Sequence, residues 1–94
     1  MSKRKGRYYE QKAVEQLEAD GYACTVAAGS LGLFDVIAVS SVAVRLIQVK
    51  GGKRPYLPPD EREAIAGRKV PAGTIKELWR YWRGRSAPDI ERIE

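Results

Sequence analysis

Apolar and polar residues follow a helical pattern at the start of the chain. Tyr9, Ala13 and Leu17 recur at helical spacing with polar residues between them, which predicts an amphipathic helix over residues 7–20. Gly21 comes directly after the last apolar position, and glycine is typical of a helix end. We therefore expect the first helix to end at this glycine.

The pattern then changes to short apolar runs bounded by turn residues. Such runs are rich in β-branched and small residues and predict central strands of a sheet. The three predicted strands cover residues 22–28, 33–39 and 42–50. Residues 28–32 contain two glycines and predict a loop, and the glycine pair 51–52 is expected to end the third strand.

The second half of the chain predicts one short helix followed by a hairpin. Pro59 or Asp60 begins the helix, which continues to about Lys69 with acids at its front and cations at its end, as the helix dipole favours. Residues 74–83 fit a helix or a strand. We favour a strand that forms a hairpin with the alternating tail at residues 90–93.

Length and composition limit the organisation of the protein. The 94 residues predict one small domain over residues 1–94, in which residues 1–6 form a flexible basic arm. No apolar stretch is long enough to span a membrane, and the first residues lack the apolar core of a signal peptide. The lone cysteine, Cys24, suits a reducing compartment. We therefore expect a cytoplasmic protein, or one of the host cytoplasm if a phage encodes it.

The net charge of the chain and the residue types that it lacks limit which partners and which kinds of catalysis are possible. Lysine and arginine number 17 against 12 acids, giving a net charge of +5, which favours a nucleic acid partner. The alternative is a basic protein without such a partner. The chain has no histidine, so histidine bases and Cys/His zinc sites are excluded. Acid–base or metal chemistry must use carboxylates, lysine, tyrosine or amides.

Four residues are candidates for that chemistry. Asp35 interrupts an apolar strand, where an unpaired charge is costly. Gln48 and Lys50 share one face of the third strand because side chains alternate, and Glu10 lies in the first helix. Each has an ordinary alternative: a strand edge facing water, a solvated lysine or an exposed helix glutamate. The combination is what points to a functional site.

The order and intervals of these residues resemble the PD-(D/E)XK nuclease superfamily. Within it, the chain is similar to archaeal and phage Holliday-junction resolvases and to small phage nucleases of VRR-NUC type. The matching stretches are residues 6–10, 21–22, 28–30, 34–38 and 46–50. The resemblance implies an α/β, restriction-endonuclease-like fold, with a central mixed β-sheet flanked by helices.

The resemblance also implies a role for each matching residue. Asp35 would bind Mg²⁺ (or Mn²⁺) directly, with the amide oxygen of Gln48 and the main-chain carbonyl of Val49 as further ligands. Glu10 would bind or orient a metal-bound water or help to hold a second metal. Lys50 would orient the attacking water and stabilise charge on the phosphate. The family pattern has Asp or Glu at the position of Gln48, although some branches carry Gln-x-Lys.

Basic residues supply the expected DNA contacts, and each of them also fits a merely solvated basic face. They are Lys3, Arg4, Lys5, Arg7, Lys53, Arg54, Arg68 and Lys69, and the resemblance adds Gly29 and Ser30 beside the scissile phosphate. The aromatic residues Trp79, Tyr81 and Trp82 are expected in the core or in a subunit interface rather than as a base-stacking platform.

Together these features predict a magnesium-dependent DNA endonuclease acting on branched DNA, of the resolvase type. The resemblance further implies a homodimer that places two sites on opposite strands. Two alternatives remain open. One is a non-catalytic DNA-binding module on the same fold, in which Gln48 marks lost activity. The other is a nicking nuclease without junction preference that needs a partner protein.

Overall fold

The computed structural model describes residues 2–27 and 33–94, and the side chains of these residues from Arg7 onward. The predicted phosphate-contacting residues Gly29 and Ser30 lie outside the described residues. The elements, in chain order, are α1 (Ser2–Ala19), β1 (Ala23–Val26), β2 (Val36–Val39), β3 (Val44–Gly52), α2 (Pro59–Gly67), β4 (Thr74–Trp82) and β5 (Asp89–Arg92).

The strands form one mixed sheet in the order β1-β2-β3-β4-β5. Only the β3–β4 pair is parallel, and the other three pairs are antiparallel. Parallel neighbours need a crossover, which α2 supplies here. The prediction of an α/β fold with a mixed sheet is therefore confirmed, as is the choice of strand over helix for residues 74–83.

The N-terminal end of α1 differs from the sequence prediction, whereas its C-terminal end agrees with it. The helix begins at Ser2, so the backbone of residues 2–6 is helical where the sequence predicts an arm. Its C-terminal end lies where Gly21 predicts it. Gly21 has a φ of 93°, and the N–H of Tyr22 donates to the carbonyl of Leu17 at 3.0 Å. This is a Schellman ending, which requires the left-handed conformation that glycine adopts without strain.

Each face of the sheet carries its own apolar core, with one helix on each side. The α1 side consists of Ala13, Val14, Leu17, Val36, Ala38, Ile47, Val49, Trp79 and Tyr81. The α2 side consists of Phe34, Leu57, Ile65, Leu78 and Ile93. Trp79 and Tyr81 are each 1% exposed, which confirms the expectation that they are core residues. Within the described residues, no helix is long and apolar enough to cross a membrane.

Several element boundaries differ from the prediction. β1 is shorter than the predicted strand, and β3 begins at Val44 rather than at residue 42. β2 begins at Val36, so Asp35 precedes the strand instead of interrupting it.

β3 continues through Gly51 and Gly52, which pair with Tyr81 and Trp82 in the parallel ladder, rather than ending before them. Tertiary pairing here overrides the weak strand propensity of glycine. The second helix ends at Gly67, so Arg68 and the residue after it follow the helix instead of forming its last turn.

The adjacent charged residues Lys76 and Glu77 are buried in β4 and have partners on opposite faces of the sheet. Oε1 of Glu77 accepts hydrogen bonds from Arg45, at 2.7 Å from Nη2, and from the Trp79 indole N–H at 2.9 Å. Nζ of Lys76 donates to three main-chain carbonyls at the end of α2. Buried charges are costly unless paired in this way, so both residues fix β4 against its neighbours.

Candidate active site

Asp35 is held against the backbone of β3 by two hydrogen bonds. Its main-chain N–H donates to the carbonyl of Ile47 at 2.8 Å. Its carboxylate Oδ2 accepts from the main-chain N–H of Val49, also at 2.8 Å. The sequence places Asp35 just before β2, and the antiparallel pairing of β2 with β3 then brings it to the middle residue of Gln48-Val49-Lys50.

The carboxyl group of Asp35 lies in a largely desolvated position. Burial raises the pKa of Asp35, and the charge of Glu61 acts in the same direction. The Val49 N–H and the charge of Lys50 oppose this effect without reversing it. A carboxyl group that keeps a raised pKa although a lysine lies nearby is in an environment that disfavours its charged form.

Gln48 and Lys50 lie on the face of β3 that α2 covers. The parallel register pairs Gln48 with Leu78, a residue of the α2-side core, and pairs Lys50 with Arg80. Gln48 is 9% exposed. Nζ of Lys50 lies 3.3 Å from Oε1 of Glu61, at the front of α2. The strand therefore presents both predicted side chains on one face, at its C-terminal end.

Glu10 joins this group from α1. Burial raises the pKa of Glu10, the negative charge of Asp35 raises it further, and Arg7 opposes both effects. The charges of the two carboxylates therefore oppose each other. Three predicted site residues, Glu10, Asp35 and Lys50, thus belong to one electrostatic cluster formed by α1, β2 and β3.

The position of Glu10 depends on a close contact between its neighbour Tyr9 and β3. A Cβ atom added at Gly51 would lie 2.3–2.6 Å from three ring atoms of Tyr9. The Tyr9 ring also stacks on Tyr81, with centroids 5.7 Å apart. Glycine at position 51 is therefore what allows α1, and Glu10 with it, to lie this close to the strand end.

Gly51→Ala is accordingly expected to displace Tyr9, to destabilise the fold by about 1–3 kcal/mol and to reduce any activity that depends on Glu10. Thermal unfolding and a cleavage assay would measure the two effects. Gly67→Ala is the matched control, because a Cβ there meets nothing within 4 Å. Equal stability of the two variants would show that the Tyr9 contact does not fix α1.

The available donors fit a hard cation. In the part of the chain that the structure describes, no group of three or more His, Cys, Asp or Glu residues could hold a metal ion. The donors that the sequence predicts are instead two carboxylates, the carboxamide oxygen of Gln48 and the carbonyl of Val49. Such an all-oxygen set suits Mg²⁺, which is commonly held by one or two carboxylates completed by waters and substrate phosphates.

The predicted DNA-binding residues fall into three groups. The side chains of Lys3, Arg4 and Lys5 lie outside the described residues. Arg7, Lys53 and Arg54 are exposed, and the latter two directly follow β3 at the site. Arg68 and Lys69 are also exposed, but they precede β4 and therefore lie toward the opposite end of the β3–β4 pair. The structure thus places only part of the predicted basic surface beside Asp35.

Two charged residues at the site were missed by the sequence analysis. Arg80 lies next to Lys50 because of the β3–β4 register, which no local pattern shows. Glu61 pairs with Lys50, and its position in the acidic front of α2 was the only available signal. No protein-family model matches the chain, and no curated protein matches its sequence.

Proposed function

We propose that the protein is a metal-dependent DNA endonuclease with a restriction-endonuclease-like fold, hydrolysing phosphodiester bonds. The observation that carries this proposal is the hydrogen bond between the Asp35 carboxylate and the Val49 N–H. It fixes a desolvated acid between Gln48 and Lys50, and the charge of Asp35 is coupled to Glu10. An acid pair with an adjacent lysine, in a chain of net charge +5, suits cleavage of a polyanion.

Asp35, the carboxamide oxygen of Gln48 and the carbonyl of Val49 would hold Mg²⁺ or Mn²⁺, with Glu10 orienting a bound water or helping to hold a second ion. When bound, the ion would supply Lewis-acid stabilisation of the phosphate and a lowered pKa for a coordinated water. Gln48 contributes a neutral oxygen where the family pattern has an acid. We therefore expect weaker metal binding than an acidic residue would give.

Lys50 would stabilise negative charge on the phosphate and orient the attacking water. Its partner in the DNA-free protein is Glu61, whose carboxylate is partly exposed. Partly exposed ion pairs contribute little stability, so a phosphate oxygen can replace Glu61 at Lys50 without a large cost. Before a phosphate binds, Glu61 would keep the Lys50 side chain extended toward the strand end.

The substrate that we propose is branched DNA, cleaved by a homodimer with one site on each of two strands. The family resemblance supports this part of the proposal, and a two-fold dimer would present its two identical sites in a symmetric arrangement. A nicking nuclease that needs a partner and has no junction preference remains the alternative within the same class of enzyme.

A second candidate function is a non-catalytic DNA-binding module. The neutral Gln48 favours it, as does the lack of a three-acid cluster among the described residues. A cation held mainly by Asp35 and neutral oxygens would bind weakly, and the basic residues near the strand end could still contact phosphates.

A substrate panel tests these possibilities. Four-way junction, flap, duplex and single-stranded DNA are incubated with the protein in Mg²⁺, in Mn²⁺ and in excess chelator. We expect cleavage in both metals, fastest on the junction, and none in chelator, because no other group at the site could replace the ion. Binding without cleavage under every condition would favour the non-catalytic module, and equal rates on all duplex substrates would favour the nicking nuclease.

A further inference from the structure

Arg80 occupies a position beside the proposed catalytic lysine. The parallel register pairs Lys50 with Arg80, so their side chains leave the sheet on the same face. Neighbouring strands lie about 4.8 Å apart, so paired residues on one face of a sheet are close neighbours. A fixed arginine therefore lies next to Lys50, at the same end of the sheet as Asp35.

The guanidinium of Arg80 is incompletely paired. Its Nε is buried and has no hydrogen-bond partner among the described residues. Its nearest carboxylate is Glu91, with Nη2 and Oε1 3.7 Å apart. Glu91 already accepts hydrogen bonds from Nη1 and Nη2 of Arg62, at 2.5 and 3.2 Å. Of the two arginines that contact Glu91, Arg80 is thus the more weakly bound, and its guanidinium is left with a donor that has no partner among the described residues.

Two cations side by side on adjacent strands are destabilising unless an anion lies between them. No nearby carboxylate of the described residues contacts both cations. Glu61 contacts Lys50, and Glu91 lies 3.7 Å from Arg80. Asp89 is opposite Arg80 on β5, but its Oδ2 accepts the indole N–H of Trp82 at 2.8 Å. A planar guanidinium presents a fork of donors that matches the oxygens of a phosphate group. The pair is therefore suited to binding one phosphate.

We propose that Arg80 binds a non-bridging oxygen of the scissile phosphate together with Lys50. This inference rests on the proposed nuclease function and adds a substrate-binding residue to its site. Arg80 holds the phosphate and offsets its developing negative charge, while Lys50 orients the attacking water. Nε itself is buried, so the contact would come from the exposed part of the guanidinium, in a side chain that is 31% exposed.

The test compares Arg80→Met with Arg92→Met. Methionine keeps an apolar stem and removes one positive charge in both variants, and Arg92 is exposed near the other end of the β4–β5 pair. We expect Arg80→Met to cleave DNA about 100-fold more slowly in single turnover, as for the loss of one preorganised donor. Its DNA binding without divalent metal should show a salt slope smaller by about 1. Arg92→Met should match the wild type in both measurements.

A structural role for Arg80 would give a different result, since it predicts a lowered melting midpoint. We expect instead that the midpoint of Arg80→Met is unchanged or raised, because the variant removes an unsatisfied buried donor. If Arg80→Met does not fold, Arg80→Lys takes its place. Cleavage about tenfold slower at an unchanged midpoint supports the forked contact, and wild-type cleavage overturns it.

The two proposals can fail separately. A wild-type protein that cleaves, together with an Arg80→Met variant of wild-type rate and salt slope, overturns the role of Arg80 and leaves the nuclease function standing. A wild-type protein that cleaves no DNA overturns the nuclease function. The salt slope then still decides whether Arg80 contacts phosphate, because binding is measured without metal.

Discussion

Replacing Asp35 with asparagine is expected to abolish cleavage, with the single-turnover rate falling about a thousandfold, at the upper end of the cost of losing one preorganised electrostatic group. Asparagine has nearly the same shape, and its carboxamide oxygen can still accept the hydrogen bond from the Val49 N–H. The substitution therefore removes the negative charge and leaves the local geometry in place. Cleavage of junction DNA in Mg²⁺ would measure the effect.

The stability of the same variant separates a functional role from a structural one. The pKa of Asp35 is raised, chiefly by burial. When the pKa of an acid is raised in the folded state, the protein loses stability as pH rises from the unfolded pKa of that acid to its folded pKa. The negative charge of Asp35 is therefore unfavourable for folding at neutral pH. Metal-free Asp35→Asn should therefore melt at the wild-type temperature or above it. Mg²⁺ should raise the melting midpoint of the wild type more than that of the variant.

Two outcomes would contradict this account. Wild-type cleavage by Asp35→Asn would remove Asp35 from the site, and a large loss of stability would show that its charge serves the fold. Gln48→Glu is the complementary variant. It supplies the acid that the family pattern has at this position, so we expect cleavage to reach half its maximum at a lower Mg²⁺ concentration than in the wild type.

Features encoded by neighbouring residues could be predicted from the sequence. The end of α1 at Gly21 follows from one residue that adopts a positive φ. The strand assignment of residues 74–83 follows from the period-two spacing of Trp79 and Tyr81, which lie in the same core. Gly51 shows the limit of such reasoning. A glycine pair predicts the end of a strand, but here tertiary contact with Tyr9 requires glycine within the strand.

The candidate site likewise contains residues whose positions could be predicted from the sequence and residues whose positions could not. Asp35 and Lys50 could be placed together because Asp35 directly precedes β2, and β2 pairs with β3, the next strand in the chain, which carries Lys50. Arg80 could not, since its position beside Lys50 depends on the parallel register of two strands separated by α2. Glu61 could not be paired with Lys50 either, because local pattern does not show where α2 lies on the sheet.

That position of α2 is fixed by a buried lysine on β4. Nζ of Lys76 donates to the carbonyls of Ile65, Ala66 and Arg68 at 2.7, 2.9 and 2.9 Å. The last carbonyls of a helix lack the full set of partners within the helix, and of these three only that of Ile65 also accepts a main-chain hydrogen bond from a described residue, from Arg68 at 3.2 Å. Lys76 is 9% exposed, which leaves water little access to replace it. The lysine thereby ties the end of α2 to the central part of the sheet.

Lys76→Met is expected to destabilise the protein by about 3 kcal/mol, because methionine keeps the apolar stem but leaves these carbonyls without their charged donor. For a chain of this size, that corresponds to a fall of roughly 15 °C in the melting midpoint. Lys69→Met is the matched control, since Lys69 is exposed and the same change there should cost no more than about 0.5 kcal/mol. Equal midpoints for the two variants would mean that Lys76 does not hold α2 on the sheet. The loss should be the same in chelator and in Mg²⁺, because Lys76 pairs with Leu46, four residues before Lys50 on β3 and away from the site.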